Sequence, residues 1–161
     1  MPNFNWEHLN HLQLGRYAEY YAKMEFASYG CDVYTSEVDD HGVDFVIKDS
    51  NNRFCEIQVK AIRNSGYVFM QKSKFDLTTP NLYLTLLLFT QDAHPELYLI
   101  PNVAWLAPNE LFVDRDYDKP GQKSKPEYGL NISRKNKSLL EHYRFDTMIQ
   151  SFILRQSEGT N

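Results

Sequence analysis

The chain has 161 residues, enough for one domain with a substantial buried core. Apolar residues make up 42% and charged residues 24%, which excludes wholesale disorder, and no apolar run reaches membrane-spanning length. The formal net charge of −4 counts against a protein that coats nucleic acid with a uniformly basic surface, while leaving room for a local basic patch. The start, Met1 to Glu7, has neither a basic nor an apolar stretch, so no signal peptide is expected. Two cysteines, Cys31 and Cys55, do not make a disulfide framework; reduced thiols in a cytoplasmic protein are the expectation.

Asn10 with Gln13 three residues on has the form of a capping box, and Gly30 suits the left-handed position that closes a helix. An amphipathic helix is therefore predicted over residues 11–29. Strands follow over residues 31–36, 43–48 and 53–62, the last two joined by the polar turn Asp49-Ser50-Asn51-Asn52 as an antiparallel hairpin. A further strand is predicted over 66–71, and the apolar run 82–90 is expected at the centre of the sheet. Residues 97–100 form the next strand, 101–106 a short helix, and 108–126 a polar surface loop around a brief strand near 111–113. Helices are predicted over 136–143 and 146–156. The order predicts a single α/β (α+β) domain, with a mixed central sheet flanked by helices.

The chemistry gathers on the hairpin. Along Cys55-Glu56-Ile57-Gln58-Val59-Lys60 the strand alternates, so Cys55, Ile57 and Val59 face the core and Glu56, Gln58 and Lys60 face the other way. A carboxylate, an amide and an amine in a row are more than a packing surface needs. Asp44 is expected within the preceding strand, flanked by Val43, Phe45 and Ile47, where a carboxylate is costly unless it is paired or metal-bound. A surface-facing alternation of Asp44, Val46 and Lys48 is the plainer alternative. On the first helix Gly15, Glu19, Ala22 and Phe26 share one face, which sets Glu19 among small and apolar neighbours; an ion pair with a nearby Arg would also satisfy it.

Gly15-Arg16-Tyr17-Ala18-Glu19, then Asp39-Asp40-His41-Gly42-Val43-Asp44, then Glu56-Ile57-Gln58-Val59-Lys60 resembles the PD-(D/E)XK nuclease superfamily. Within it the chain is most similar to the small prokaryotic members with a Gln-x-Lys end, which include Mrr-type restriction nucleases and a cyanobacterial group I intron homing endonuclease. The resemblance spans residues 14–62 and implies a restriction-endonuclease-like fold and Mg²⁺-dependent cleavage of DNA, with Mn²⁺ as a substitute, in defence, mobile-element spread or repair. It implies that Asp44 binds the metal with Gln58 and the Val59 carbonyl, that Lys60 positions or deprotonates the attacking water, and that Glu19 completes the site. Gln58 replaces the acid of the eponymous motif, which lowers the charge offered to a metal; Glu56 on the same face is a candidate to supply it.

A non-catalytic domain of the same fold that binds nucleic acid or protein is the alternative. Residues 122–144 concentrate Lys123, Lys125, Arg134, Lys135 and Lys137, a candidate phosphate-contacting patch or simply a solvated face. Tyr17, Tyr20, Tyr21, Phe69 and Phe75 are candidates for stacking on bases, or core. A small nuclease domain facing a duplex must cut two strands, so a homodimer or larger homo-oligomer is expected.

Overall fold

The computed structural model describes residues 1–37 and 41–153. Its first long element, helix α1 (His11–Ser28), begins with the expected capping box. The Asn10 side chain accepts from the Gln13 N–H at 2.9 Å, and the Gln13 side chain accepts from the Asn10 N–H at 2.9 Å. Strands β1 (Asp32–Tyr34), β2 (Phe45–Lys48), β3 (Phe54–Arg63), β5 (Leu82–Phe89) and β6 (Glu96–Pro101) form one mixed sheet in the order β1-β2-β3-β5-β6. Among the described residues only the β3–β5 pair is parallel. A second, antiparallel sheet of three strands has the order β4 (Gly66–Gln71), β8 (Glu127–Ile132), β7 (Phe112–Arg115).

The central sheet is buried on both faces, as the run Leu82–Phe89 requires. Leu87, Phe89, Cys55, Ile57, Phe45 and Ile47 pack with Ala18, Ala22 and Phe26 of α1, and with Phe145, Ile149 and Phe152 near the C-terminus. Leu82, Leu84, Leu86 and Leu88 pack with Met70, Phe112, Leu130 and Trp105 on the side of the second sheet. Phe26 is wholly buried, with Phe45 and Phe145 rings edge-on to it. Truncating it to Ala would cost about 3–5 kcal/mol, a large share of the stability of a domain this size.

Four expectations need correction. Strand β2 begins at Phe45, so Asp44 stands just before the strand instead of inside it. Residues 127–132 form the full strand β8, where no element was expected; its partners β4 and β7 are supplied by distant sequence. The predicted helix 136–143 is a four-residue α2 (Lys137–Leu140) running into the 3-10 turn Glu141–Tyr143. The predicted helix 146–156 is α3 (Phe145–Met148) followed by the 3-10 turn Ile149–Phe152, and its last residues lie outside those described. No helix of the described residues is long and apolar enough to cross a membrane.

Candidate active site

The site is created by a difference in strand length. β3 has ten residues, but β2 pairs with it only from Phe54 to Ile57. Beyond Ile57, one edge of β3 continues without β2, while the other edge stays paired with β5 as far as Arg63. Backbone groups at every second residue of a strand face the same neighbour. The groups of Val59 therefore turn to the side that β2 has vacated. There Asp44 replaces the missing strand: its N–H donates to the Ile57 carbonyl at 2.9 Å, and its Oδ2 accepts from the Val59 N–H at 2.6 Å. Asp44 is thus held by main-chain groups on β3.

A cavity of about 280 Å³ opens at this step, lined by Gly42, Asp44, Gln58, Val59, Lys60, Phe69, Met70, Gln71 and Lys74. Four of the sequence candidates, Asp44, Gln58, Val59 and Lys60, meet in it. Gln58 is only 4% exposed, and its Nε2 donates to the backbone carbonyl of Lys74. A carbonyl oxygen can only accept, so the side chain facing it must carry a donor. An amide meets that demand and an ionised carboxylate does not, which gives a physical reason for Gln at this position.

Gly42 completes the wall. It has φ +80°, and a Cβ there would lie 3.0 Å from the Lys74 Cβ and 3.4 Å from Gln58 Nε2, so both backbone conformation and space require glycine. Burial lowers the pKa of Lys60 from its ordinary value; the Asp44 charge works against this and the Lys74 charge adds to it. Lys74 was missed by sequence reasoning. Only the fold of residues 72–75 brings it against β3, and its local sequence is that of an ordinary polar turn.

The remaining candidates fall elsewhere. Glu56 lies on the same face as Gln58 but lines a neighbouring cavity with His41, Asp76 and Thr79, sharing only Lys74 with the first. Glu19 stays largely covered and pairs with Arg16 at 3.2 Å and Lys23 at 3.1 Å; it is not among the residues lining the Asp44 cavity. Asp39 and Asp40 lie outside the described residues. Among the basic residues, Lys137 pairs with Glu96 at 3.0 Å and Lys135 with Glu110 at 3.7 Å, whereas Lys123 and Lys125 are exposed in the loop before β8. Of the aromatic candidates Phe75 is fully buried core, while Phe69 (46% exposed) and Tyr20 (58%) reach solvent. Cys31 and Cys55 are buried, and burial pushes both thiols up to about 11, unsuited to nucleophilic work.

A second cavity, of about 300 Å³, continues along the open edge of β3 and reaches α1 at His11 and Gly15. Gly15 sits inside the helix, where glycine costs about 0.5–1 kcal/mol relative to Ala, yet a Cβ there would meet nothing within 4 Å.

No protein-family model and no curated protein matches this chain. Solved structures do. Hjc, a Holliday junction resolvase from the archaeal hyperthermophile Archaeoglobus fulgidus, aligns with a TM-score of 0.53 at 11% identity, over 88% of this chain and 98% of its own. A bacterial homing endonuclease aligns with a TM-score of 0.51 at 15% identity, over 89% of this chain and 94% of its own. The chain shares the fold of these two structures, a mixed central sheet flanked by helices, as the sequence resemblance implied. At these identities the likeness concerns the fold. The donors at the step, a carboxylate, an amide oxygen and a main-chain carbonyl, are all hard oxygen ligands of the kind Mg²⁺ and Mn²⁺ take. The set is low in charge: among the described residues no three His, Cys, Asp or Glu side chains come together as a metal cluster.

Proposed function

We propose that the protein is a metal-dependent DNA endonuclease whose site is Asp44, Gln58, Val59 and Lys60. The observation that carries this reading is the cavity where β2 ends. It gathers an acid, an amide, a turned-out carbonyl and a half-buried lysine on one strand edge. The likeness in fold to a Holliday junction resolvase and a homing endonuclease supports DNA as the substrate.

In this reading Asp44, Gln58 and the Val59 carbonyl hold Mg²⁺, or Mn²⁺ in its place. The ion supplies positive charge against the scissile phosphate. Lys60 orients the attacking water and, from the neutral form that burial favours, accepts its proton. The water oxygen bonds to phosphorus as the bond to the leaving oxygen breaks. In its charged form Lys60 offsets the charge that builds on the phosphate oxygens. Glu19, one helical turn beyond Gly15, acts from the periphery through water. Lys123, Lys125, Arg134 and Lys135 form the phosphate-contacting surface, with Lys137 committed instead to Glu96, and two copies of the chain cut the two strands of a duplex.

Pure protein incubated with supercoiled plasmid, linear duplex and branched DNA tests this reading. Metal-dependent cutting, abolished by EDTA and by Asp44→Ala in a folded protein, is expected. The low charge of the donor set favours a second reading, a non-catalytic DNA-binding domain. Salt-sensitive DNA binding with no cutting of any substrate would select it.

A further inference from the structure

We infer that the cavity beside the proposed active site is a base pocket, which receives one unpaired nucleobase of the strand whose phosphate lies at Lys60. This rests on the proposed function and names the class of DNA the site takes: duplex interrupted by an unpaired base, as at a branch, bulge or fray.

Three observations support it. The two cavities adjoin along β3 and share Val59, Lys60 and Phe69, so a chain with its phosphate in the first has its base within reach of the second. Phe69 is an aromatic ring that the fold leaves 46% exposed on this shared wall. Tyr67 stacks behind it, with ring centres 6.3 Å apart and planes at 19°. Tyr67 is itself fixed: its hydroxyl donates to the buried Glu127 carboxylate, Arg115 lies 4.7 Å over its ring, and the ring crosses β8 where a Cβ at Gly129 would overlap it. A stacking platform that is already ordered loses little entropy when a base settles on it.

The third observation is Gly15. A glycine inside a helix weakens it, and this one has neither a positive φ nor a close neighbour to require it. It lines the cavity, as Phe69 does, and a Cβ there would stand in open space with no atom within 4 Å. The missing side chain keeps the pocket open. At about 300 Å³ the pocket has the size of a small-ligand site, with apolar walls from Val59, Ala61 and Val68 suited to a flat ring.

The test is binding of fluorescent oligonucleotides in EDTA, where cleavage cannot intrude, using a perfect duplex and the same duplex with one bulged base. Wild-type protein is expected to prefer the bulged duplex by about ten-fold, the scale of one base–aromatic stack. Phe69→Ala and Gly15→Leu should each lose that preference while still binding the perfect duplex. Gly15→Ala should raise Tm by about 2–4 °C, from helix propensity, while weakening the preference. Equal affinity of wild-type protein for both duplexes, or a preference that survives both Phe69→Ala and Gly15→Leu, overturns the base pocket. Metal-dependent cutting without any bulge preference overturns the pocket alone. Bulge preference without cutting upholds the pocket and overturns the nuclease.

Discussion

The Oδ2 of Asp44, one residue before the start of β2, accepts the backbone N–H of Val59 at 2.6 Å across fifteen residues of sequence. The side chain thereby satisfies a strand edge that would otherwise need another strand, and its carboxylate is fixed by the ladder itself. Asp44→Asn keeps an oxygen that can accept from Val59 but removes the charge. It should cost stability only through the lost attraction to Lys60 and reduce cleavage by about 10²–10³-fold, as expected for loss of one preorganised electrostatic group. Asp44→Ala should also lower stability by about 1–3 kcal/mol, because it strands the Val59 N–H. Urea unfolding of the two variants beside wild type separates the two effects.

Gln58 answers to the Lys74 carbonyl, so restoring the acid of the eponymous motif is not an improvement here. Gln58→Glu would set a carboxylate against a carbonyl oxygen in a position only 4% exposed. The variant should be less stable by about 1–3 kcal/mol near neutral pH and should recover as the new carboxyl is protonated. Denaturation midpoints at pH 5 and pH 8 would reveal this. A variant as stable as wild type at both would argue against the Lys74 contact.

Lys60 gives a pH signature in metal-free protein. Burial sets its folded pKa below the ordinary 10.5, and Asp44 only partly offsets this. Between the folded value and 10.5 the unfolded chain binds more protons, so stability rises with pH through that window. Below the folded pKa the full penalty of burying the charge remains. Lys60→Met removes that penalty. It should be more stable than wild type at neutral pH, inactive in cleavage, and converge on wild-type stability as the pH approaches 10.5.

The hairpin and the first helix were legible because their signals are local. The Asn10–Gln13 capping box and the strand from Cys55 to Lys60 need no partner to be recognised; the box stands as read, and the alternation of burial holds from Cys55 to Ile57 but breaks at Gln58, which the second layer buries. Strand β8 was not legible. Its buried Glu127 is explained only by Tyr67, sixty residues away, and Gly129 only by the ring that passes over it. Lys74 escaped for a related reason: what it gives Gln58 is a main-chain carbonyl, which every residue has. The C-terminal pattern of apolar residues at helical spacing was real, but the chain delivers Phe145, Ile149 and Phe152 to the core through short α and 3-10 turns.

The basic residues of the C-terminal third should divide into two groups. Burial would raise the carboxyl of Glu96, but hydrogen bonds from Lys137 and Tyr98, with the Lys137 charge, hold it below its usual range. This contribution to stability is present above pH 4.5 and is lost as the pH falls through the lowered value. Lys137→Met should therefore be less stable than wild type above pH 4.5 and converge on it in acid, with little change in the salt dependence of DNA binding. Lys123→Ala with Lys125→Ala should do the reverse, reducing the slope of log affinity against log salt by about one per residue. Acid denaturation curves and salt titrations distinguish the groups.

Single-turnover cleavage of an end-labelled branched duplex, by wild-type protein and by Lys60→Met, with Mg²⁺ or with EDTA, tests the central claim most directly. A discrete product is expected with wild type and Mg²⁺, none with EDTA, and none with the folded variant. Cutting that persists in Lys60→Met at the wild-type rate would contradict the claim.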